Sequence, residues 1–285
     1  MTPSAKREVL AVLVQEHGVP VRRACQAVRL SRAAYYRPPR SRLIQDADVV
    51  TALNEVVGRH SRWGVWTCCY RLRRAGHRGH HKRVHRVYCA RRLNLPRRTK
   101  RRIPARRRQP LVAPARLNET WALDFMADAL YDGRGFRTFN VLDESHREAL
   151  AIEVGTSIPS ARVIRVLDEL IQLHGRPARV RVDNGPELTA EAFVEWCAAP
   201  RIAIGYIQPG KQDPNAFIER FNRSVREEVL DAYLFDSLDQ VRELTEAWLE
   251  TYNTERPHDR LGQVPPLVFL PRPTAPVESS IEVST

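Results

Sequence analysis

The chain is 285 residues long, 43% hydrophobic and 28% charged, with a formal net charge of +13. That length and apolar content can fill one large core or two to three small ones. No run approaches the roughly 18 apolar residues of a membrane helix, and the N-terminus lacks the apolar stretch of a secretory signal. The five cysteines, Cys25, Cys68, Cys69, Cys89 and Cys197, form no even framework and fall in predicted helices, so a soluble protein of the reducing cytoplasm is expected.

The charge is unevenly placed. Residues 1–110 carry 28 Lys and Arg against 5 Asp and Glu, a net of +23, and the remainder carries a net of −10. A basic block of this size implies a polyanionic partner, because neutralised phosphates release counterions. The block is patterned, unlike a low-complexity basic tail.

In chain order, KREVLAVLVQEHGV places Val9, Leu10, Leu13 and Val14 at helical spacing and breaks at Gly18. Pro20 opens a second helix, VRRACQAVRL, and Ser31 is a fitting N-cap for a third, SRAAYYR, with Arg32 at its start. Three short helices ending in a capped basic one predict a helix-turn-helix over 1–39. A second helical unit spans 40–95, and its last helix, HKRVHRVYCARRLNL, groups Val84, Val87 and Tyr88 on one face. Lys82, Arg83 and Arg86 lie around the other side, suited to phosphate. Cys68, Cys69, His77, His80, His81, His85 and Cys89 cluster in this unit. Without a Cys-x-x-Cys pair, and with Cys68 and Cys69 on different helix sides, they read as packed or phosphate-facing residues and not as zinc ligands. PRRTKRRIPARRRQP, within 96–115, has no apolar period and reads as a basic linker that can follow a DNA groove.

From Asn118 the character changes. WALDFMA and FRTFNVLDE read as strands joined by a hairpin at Asp132-Gly133, and EALAIEV as a third strand. A helix from Pro159 to His174, capped by Gly175, precedes the strand ARVRVD; a helix from Glu187 to Ala198 and the strand IAIGYIQP follow. The expected core is α/β, with a mixed five-stranded sheet flanked by helices.

Three acids stand out in it. Asp124 lies among apolar neighbours inside the first strand, where a lone carboxylate is costly unless paired or metal-bound. Asp183 ends the fourth strand in RVDNGPE, and Glu219 interrupts the apolar side of a helix formed by Phe217, Ile218, Phe221 and Val225. Two acids from a sheet and one from a helix suit two magnesium ions, which prefer oxygen ligands. Asp143 is strand-borne too, but it sits beside Glu144 at a strand end, where solvated carboxylates are ordinary; Asp128 and Asp132 lie near a turn.

WALDF, RVDNGPE with Glu219 after a 35-residue gap, and QPGKQDPNAFIERFNRSVREEVL resemble the integrase-type catalytic core of bacterial insertion-sequence transposases, the second-reading-frame type. The resemblance extends through WGVWTCCYRLRRAGHRGHHKRVHRVY and TYNTERPHDRLGQVPP to about Pro271. It implies an RNase H-like core over 116–274, a tail over 275–285, and Asp124, Asp183 and Glu219 as a triad binding two Mg²⁺ or Mn²⁺ ions for DNA strand cleavage and strand transfer. It further implies double-stranded DNA as partner, both element ends and target, a homo-oligomer to bring two ends together, and an upstream reading-frame product as possible companion. Lys211, Gln212, Asn215, Asn222 and Arg226 are the core's DNA-contact candidates, with Arg226 two helical turns after Glu219; a surface-helix role is the alternative reading, above all for Asn222. Gln212-Asp213-Pro214 stands where the family pattern is Pro-Thr-Gln-like, and Pro200-Arg201 where a glycine turn is usual.

Two rival readings are a stand-alone nuclease and a DNA-binding regulator. The first leaves the basic half unexplained; the second leaves the acids unexplained.

Overall fold

The computed structural model describes residues 2–37, 42–77, 79–95, 114–207 and 216–272. Most of the basic linker, the C-terminal tail, and the Lys211, Gln212 and Asn215 candidates lie outside these residues. The chain divides into two compact units, residues 1–51 and 52–285.

In the first unit, α1 (Pro3–Gln15), α2 (Val21–Ala27) and α3 (Arg32–Tyr36) enclose Leu10, Ala24 and Cys25, against which Leu13 and Val14 pack. Ser31 caps α3 as its sequence predicts, its hydroxyl accepting the Ala34 N–H at 3.1 Å. Val9, expected on the packed face with Leu10, is instead exposed. A short α4 (Arg42–Gln45) follows, and α5 (Ala47–Arg59) runs into the second unit.

The second unit begins with α6 (Val65–Arg74) and α7 (His81–Ala90). Val84, Val87 and Tyr88 are buried, the face that their helical spacing selects. A five-stranded sheet follows: β1 (Thr120–Ala129), β2 (Gly135–Asp143), β3 (Ala149–Gly155), then α8 (Ser160–His174), β4 (Arg179–Val182), α9 (Pro186–Thr189), α10 (Glu191–Ala198) and β5 (Ala203–Tyr206). After it come α11 (Ala216–Val225), which continues as a π-helical turn over Arg226–Leu230, then α12 (Leu238–Thr254) and α13 (Pro266–Phe269).

The strand order is β3-β2-β1-β4-β5, with β2 antiparallel to both β1 and β3, and β4 and β5 parallel to β1. The β1–β2 hairpin turns through Gly133, whose φ of 85° is a conformation open to glycine without a Cβ clash. The helix read as continuous from Glu187 to Ala198 is broken at Ala190, which is extended at ψ 141° and serves as N-cap of α10.

Period-2 alternation splits the core. Trp121, Leu123, Phe139 and Val141 face α8 and α10, and Ala122, Phe136 and Leu142 face α11, the π turn and α12. The α6–α7 helices are fastened to this second layer: Arg71 pairs with Glu255 at 3.1 Å, and the Trp63 indole N–H reaches the Glu228 carboxylate at 3.4 Å.

Candidate active site

Strand register determines where the acids meet. β1 and β4 pair in parallel with Ala122 opposite Arg181, so two residues further on Asp124 is level with Asp183, just past the end of the ladder. By alternation Asp124 shares a sheet face with Ala122, the face that α11 covers. α11 in turn carries Glu219 in its first turn. Burial pushes the Asp124 carboxyl up to about 6, and the charges of Asp183 and Glu219 push the same way. Asp183 and Glu219 therefore both stand within electrostatic reach of Asp124.

Glu219 is not on the helix's packed side. The buried stripe of α11 is Ile218, Phe221, Asn222 and Val225, and Glu219 is exposed beside it. Asp183 is folded back on its own turn, its Oδ1 accepting the Gly185 N–H at 3.0 Å. Among the described residues no three His, Cys, Asp or Glu side chains are gathered closely enough to enclose an ion as they stand. The donor set nonetheless fits a hard divalent cation: three oxygen-bearing groups, one desolvated and strained by like charge.

Asn222 is corrected by the structure. Expected to touch DNA, it is buried, and its amide N–H donates to Asp124 Oδ2 at 2.8 Å while its Oδ1 accepts from Asn140 at 2.8 Å. Asn140 is the residue opposite Asp124 in the β1–β2 ladder. This Asn140–Asn222–Asp124 relay was invisible to a helix-only reading. Its sequence signal was a polar residue at position 222, within the apolar stripe.

Arg226, the expected phosphate contact, is partly exposed and already has partners on β1. It forms an ion pair with Asp128, and its second amine donates to the Ala127 carbonyl at 2.7 Å. Arg226 is the first residue of the π turn, and Asp128, read as a bland turn residue, is its anchor. Arg32 and the α7 residues Lys82 and Arg86 are exposed and Arg83 is half-buried, so α7 presents these cations around its outer side.

Asp143 and Glu144, expected to be solvated, are both fully buried. Burial pushes Asp143 up, but hydrogen bonds from His146, Ser145 and the Asn118 N–H outweigh it and hold the carboxyl below its usual range. Arg272, near the C-terminal end of the described residues, donates to Asp143 Oδ2 at 3.1 Å and to Glu148 Oε2 at 2.5 Å. The neighbouring Glu144 is pushed by burial up to about 7 despite Arg181 at 2.7 Å and Arg147. This is a buried structural network, distinct from the Asp124 cluster. The signal for it was an Asp-Glu-Ser-His-Arg-Glu run too dense in charge for a simple turn.

Two models described as "Integrase core domain" match residues 114–212 and 200–266. The chain is 35% identical over 269 residues to the "Insertion element IS476 uncharacterized 39.2 kDa protein" of Xanthomonas euvesicatoria, covering 94% of this chain and 78% of that protein. It is 34% identical over 263 residues to the "Insertion element IS407 uncharacterized 31.7 kDa protein" of Burkholderia multivorans, covering 91% and 94%. Among solved structures, the simian T-cell lymphotropic virus intasome in complex with the PP2A regulatory subunit B56 gamma shares the fold at a TM-score of 0.50 and 17% identity, with 73% of each chain covered.

Proposed function

The chain belongs to the insertion-sequence transposases with an integrase-type catalytic core, polynucleotidyl transferases of DNA integration, and we propose that it cuts and joins DNA strands with Asp124, Asp183 and Glu219. The observation that carries this proposal is the convergence of the three acids: parallel register sets Asp124 level with Asp183, α11 brings Glu219 over the same face, and burial first, then the charges of the other two acids, push the Asp124 carboxyl up. A buried acid facing two like charges is a standing electrostatic penalty, and catalytic sites are where such penalties are retained.

In this reading the three carboxylates hold two divalent ions, Mg²⁺ or Mn²⁺. When bound, such ions activate a water or a DNA 3′-hydroxyl and stabilise the leaving 3′-oxygen during in-line attack on phosphorus. The chain's own contribution is placement. Asn222 fixes which oxygen of Asp124 points outward, the Gly185 N–H orients Asp183, and the Arg226–Asp128 pair ties the helix of Glu219 to β1.

Double-stranded DNA is the proposed partner, both as element ends and as target. The helical units of 1–39 and 40–95, with Arg32, Lys82, Arg83 and Arg86, and the 96–115 linker carry the basic excess that binds it; Lys211 and Asn215 belong to the same proposal. Joining two ends calls for a multimer of this chain, and an upstream reading-frame product is a further companion. Among the described residues no helix is long and apolar enough to cross a membrane, consistent with action on cytoplasmic DNA.

The test uses purified full chain, a duplex bearing the element's ends, and Mg²⁺ or Mn²⁺. Nicking and joined products are expected, and Asp183→Asn and Glu219→Gln should each abolish both while gel-shift affinity for DNA is retained. Turnover surviving in either variant removes that residue from the triad.

A further inference from the structure

Away from the acids, α6 and α7 enclose a cavity of about 250 Å³ lined by Val65, Trp66, Cys69, His81, Lys82 and His85. Trp66 is 50% exposed, an unusual position for so large an apolar ring. Its indole plane is held, with Tyr70 at 6.2 Å and 27° and His81 at 5.1 Å and 40° between ring planes. His80 extends the aromatic surface, 4.1 Å from His81. Buried Cys69 contributes to the lining.

The charge around this cavity has one sign. Desolvation holds the His81 imidazole below its ordinary value, and the further contributions, from His80, Arg73, Lys82 and His85, are all those of basic groups. A zinc site would use the same histidines and cysteine, yet no three metal-ligating side chains among the described residues gather tightly enough to hold an ion. What remains is a supported aromatic plane with a cationic rim. Its volume lies just below the roughly 300 Å³ at the lower end of ligand pockets, space for one ring system and too little for a stacked base pair.

We propose that this cavity receives one unpaired nucleobase of DNA, stacked on Trp66, with the adjoining phosphate on Lys82. A base offers a π-face to stack on an aromatic side chain whatever its sequence, and the phosphate beside it answers the cationic rim. A frayed or nicked duplex end presents such a base; an intact duplex does not. The α6–α7 unit then distinguishes an opened end from continuous DNA, in addition to gripping the backbone. This inference rests on the DNA-acting role proposed above.

The test measures the full chain's affinity, by fluorescence anisotropy, for a blunt duplex and for the same duplex with one unpaired nucleotide at its end. Wild type should prefer the second by between about 5- and 150-fold, the range that base–aromatic stacking spans. Trp66→Ala should bring the two affinities within about twofold of each other, and Trp66→Phe should keep most of the preference. Independently of any variant's folding, 5-iodouracil at the unpaired position should photo-crosslink wild type within peptides containing Trp66 or His81. Equal wild-type affinity for both duplexes, a preference unchanged in Trp66→Ala, or crosslinks confined to other segments would each overturn the cavity assignment. Binding to neither duplex would overturn the DNA-acting role itself.

Discussion

Replacing Asp124 with asparagine is expected to stabilise the metal-free protein while destroying its activity. The native carboxyl titrates near 6, above its ordinary 3.8, chiefly because it is buried. Between those values the folded state keeps a proton that the unfolded chain has released, so stability falls as pH rises through 6 and the loss is complete above it. About two pKa units correspond to about 3 kcal/mol. Asp124 is only half-buried, so solvent screening lowers this to about 1–3 kcal/mol. The amide can be accommodated. Asp124 accepts from the Phe125 N–H at 2.9 Å and from Asn222 at 2.8 Å, and if the Asn222 and Asn140 amides both turn over, Asn222 accepts where it donated. Denaturant unfolding in EDTA should show Asp124→Asn more stable than wild type at about pH 8 and equal to it near pH 4. Glu144 titrates near 7 in both proteins and cancels in the comparison. Added Mg²⁺ should stabilise wild type and leave the variant unmoved. A variant less stable at pH 8, or a gain independent of pH, would refute the electrostatic account of the site.

Asn222→Ala should lower strand-transfer activity about 10- to 100-fold, the usual effect of losing a residue that orients a metal ligand, with gel-shift affinity for DNA retained; a parallel loss of binding would return Asn222 to the DNA-contact role first read for it. Arg272→Ala removes the arginine shared by two buried acids, Asp143 and Glu148, leaving only His146 between them, and should cost about 3 kcal/mol in denaturant unfolding. Glu228→Ala strips the partner from Arg256, which it meets at 2.8 Å with side-chain exposures of 10% and 19%, and should cost about 3 kcal/mol. It should also increase protease cleavage between Trp63 and Leu95, which loss of the Arg256 pair alone would not do.

The sheet was legible because its strands alternate and its turns carry Asp-Gly and Gly signals that bear directly on backbone geometry. Asp124 and Asp183 were legible for a related reason: a carboxylate at a strand position is conspicuous against β-branched and aromatic neighbours, and parallel register makes them level. Long-range pairing was not legible. Asp143 and Glu144 looked solvated because their compensating cations, Arg272 and Arg181, lie 129 and 37 residues away, and no local pattern announces that. Arg201 is a partial exception. The sequence marked its turn as lacking glycine, and Arg201 adopts φ 58° there, a left-handed conformation that glycine takes without steric penalty. Asn222 was misread because spacing along an ideal helix ignores what covers the helix.

That covering explains how an exposed acid can serve in a site that needs fixed geometry. Glu219 makes no packing contact with the core on its own behalf, so its position depends on its helix. α11 is held on both sides of it. Before Glu219, the Arg147 guanidinium lies 3.3 Å over the Phe217 ring. After it, Asn222 binds Asp124, Arg226 binds Asp128, and Glu228 accepts from Trp63, Trp248 and Arg256. Arg226 and Glu228 both lie on the π turn, where the Asp231 N–H bonds the Arg226 carbonyl at 2.7 Å. Two positions apart, Arg226 and Glu228 project to opposite sides of the helix, Arg226 toward β1 and Glu228 toward the α6–α7 unit. One helix thus joins Glu219 to Asp124 through Asn222, and to the α6–α7 unit through Glu228.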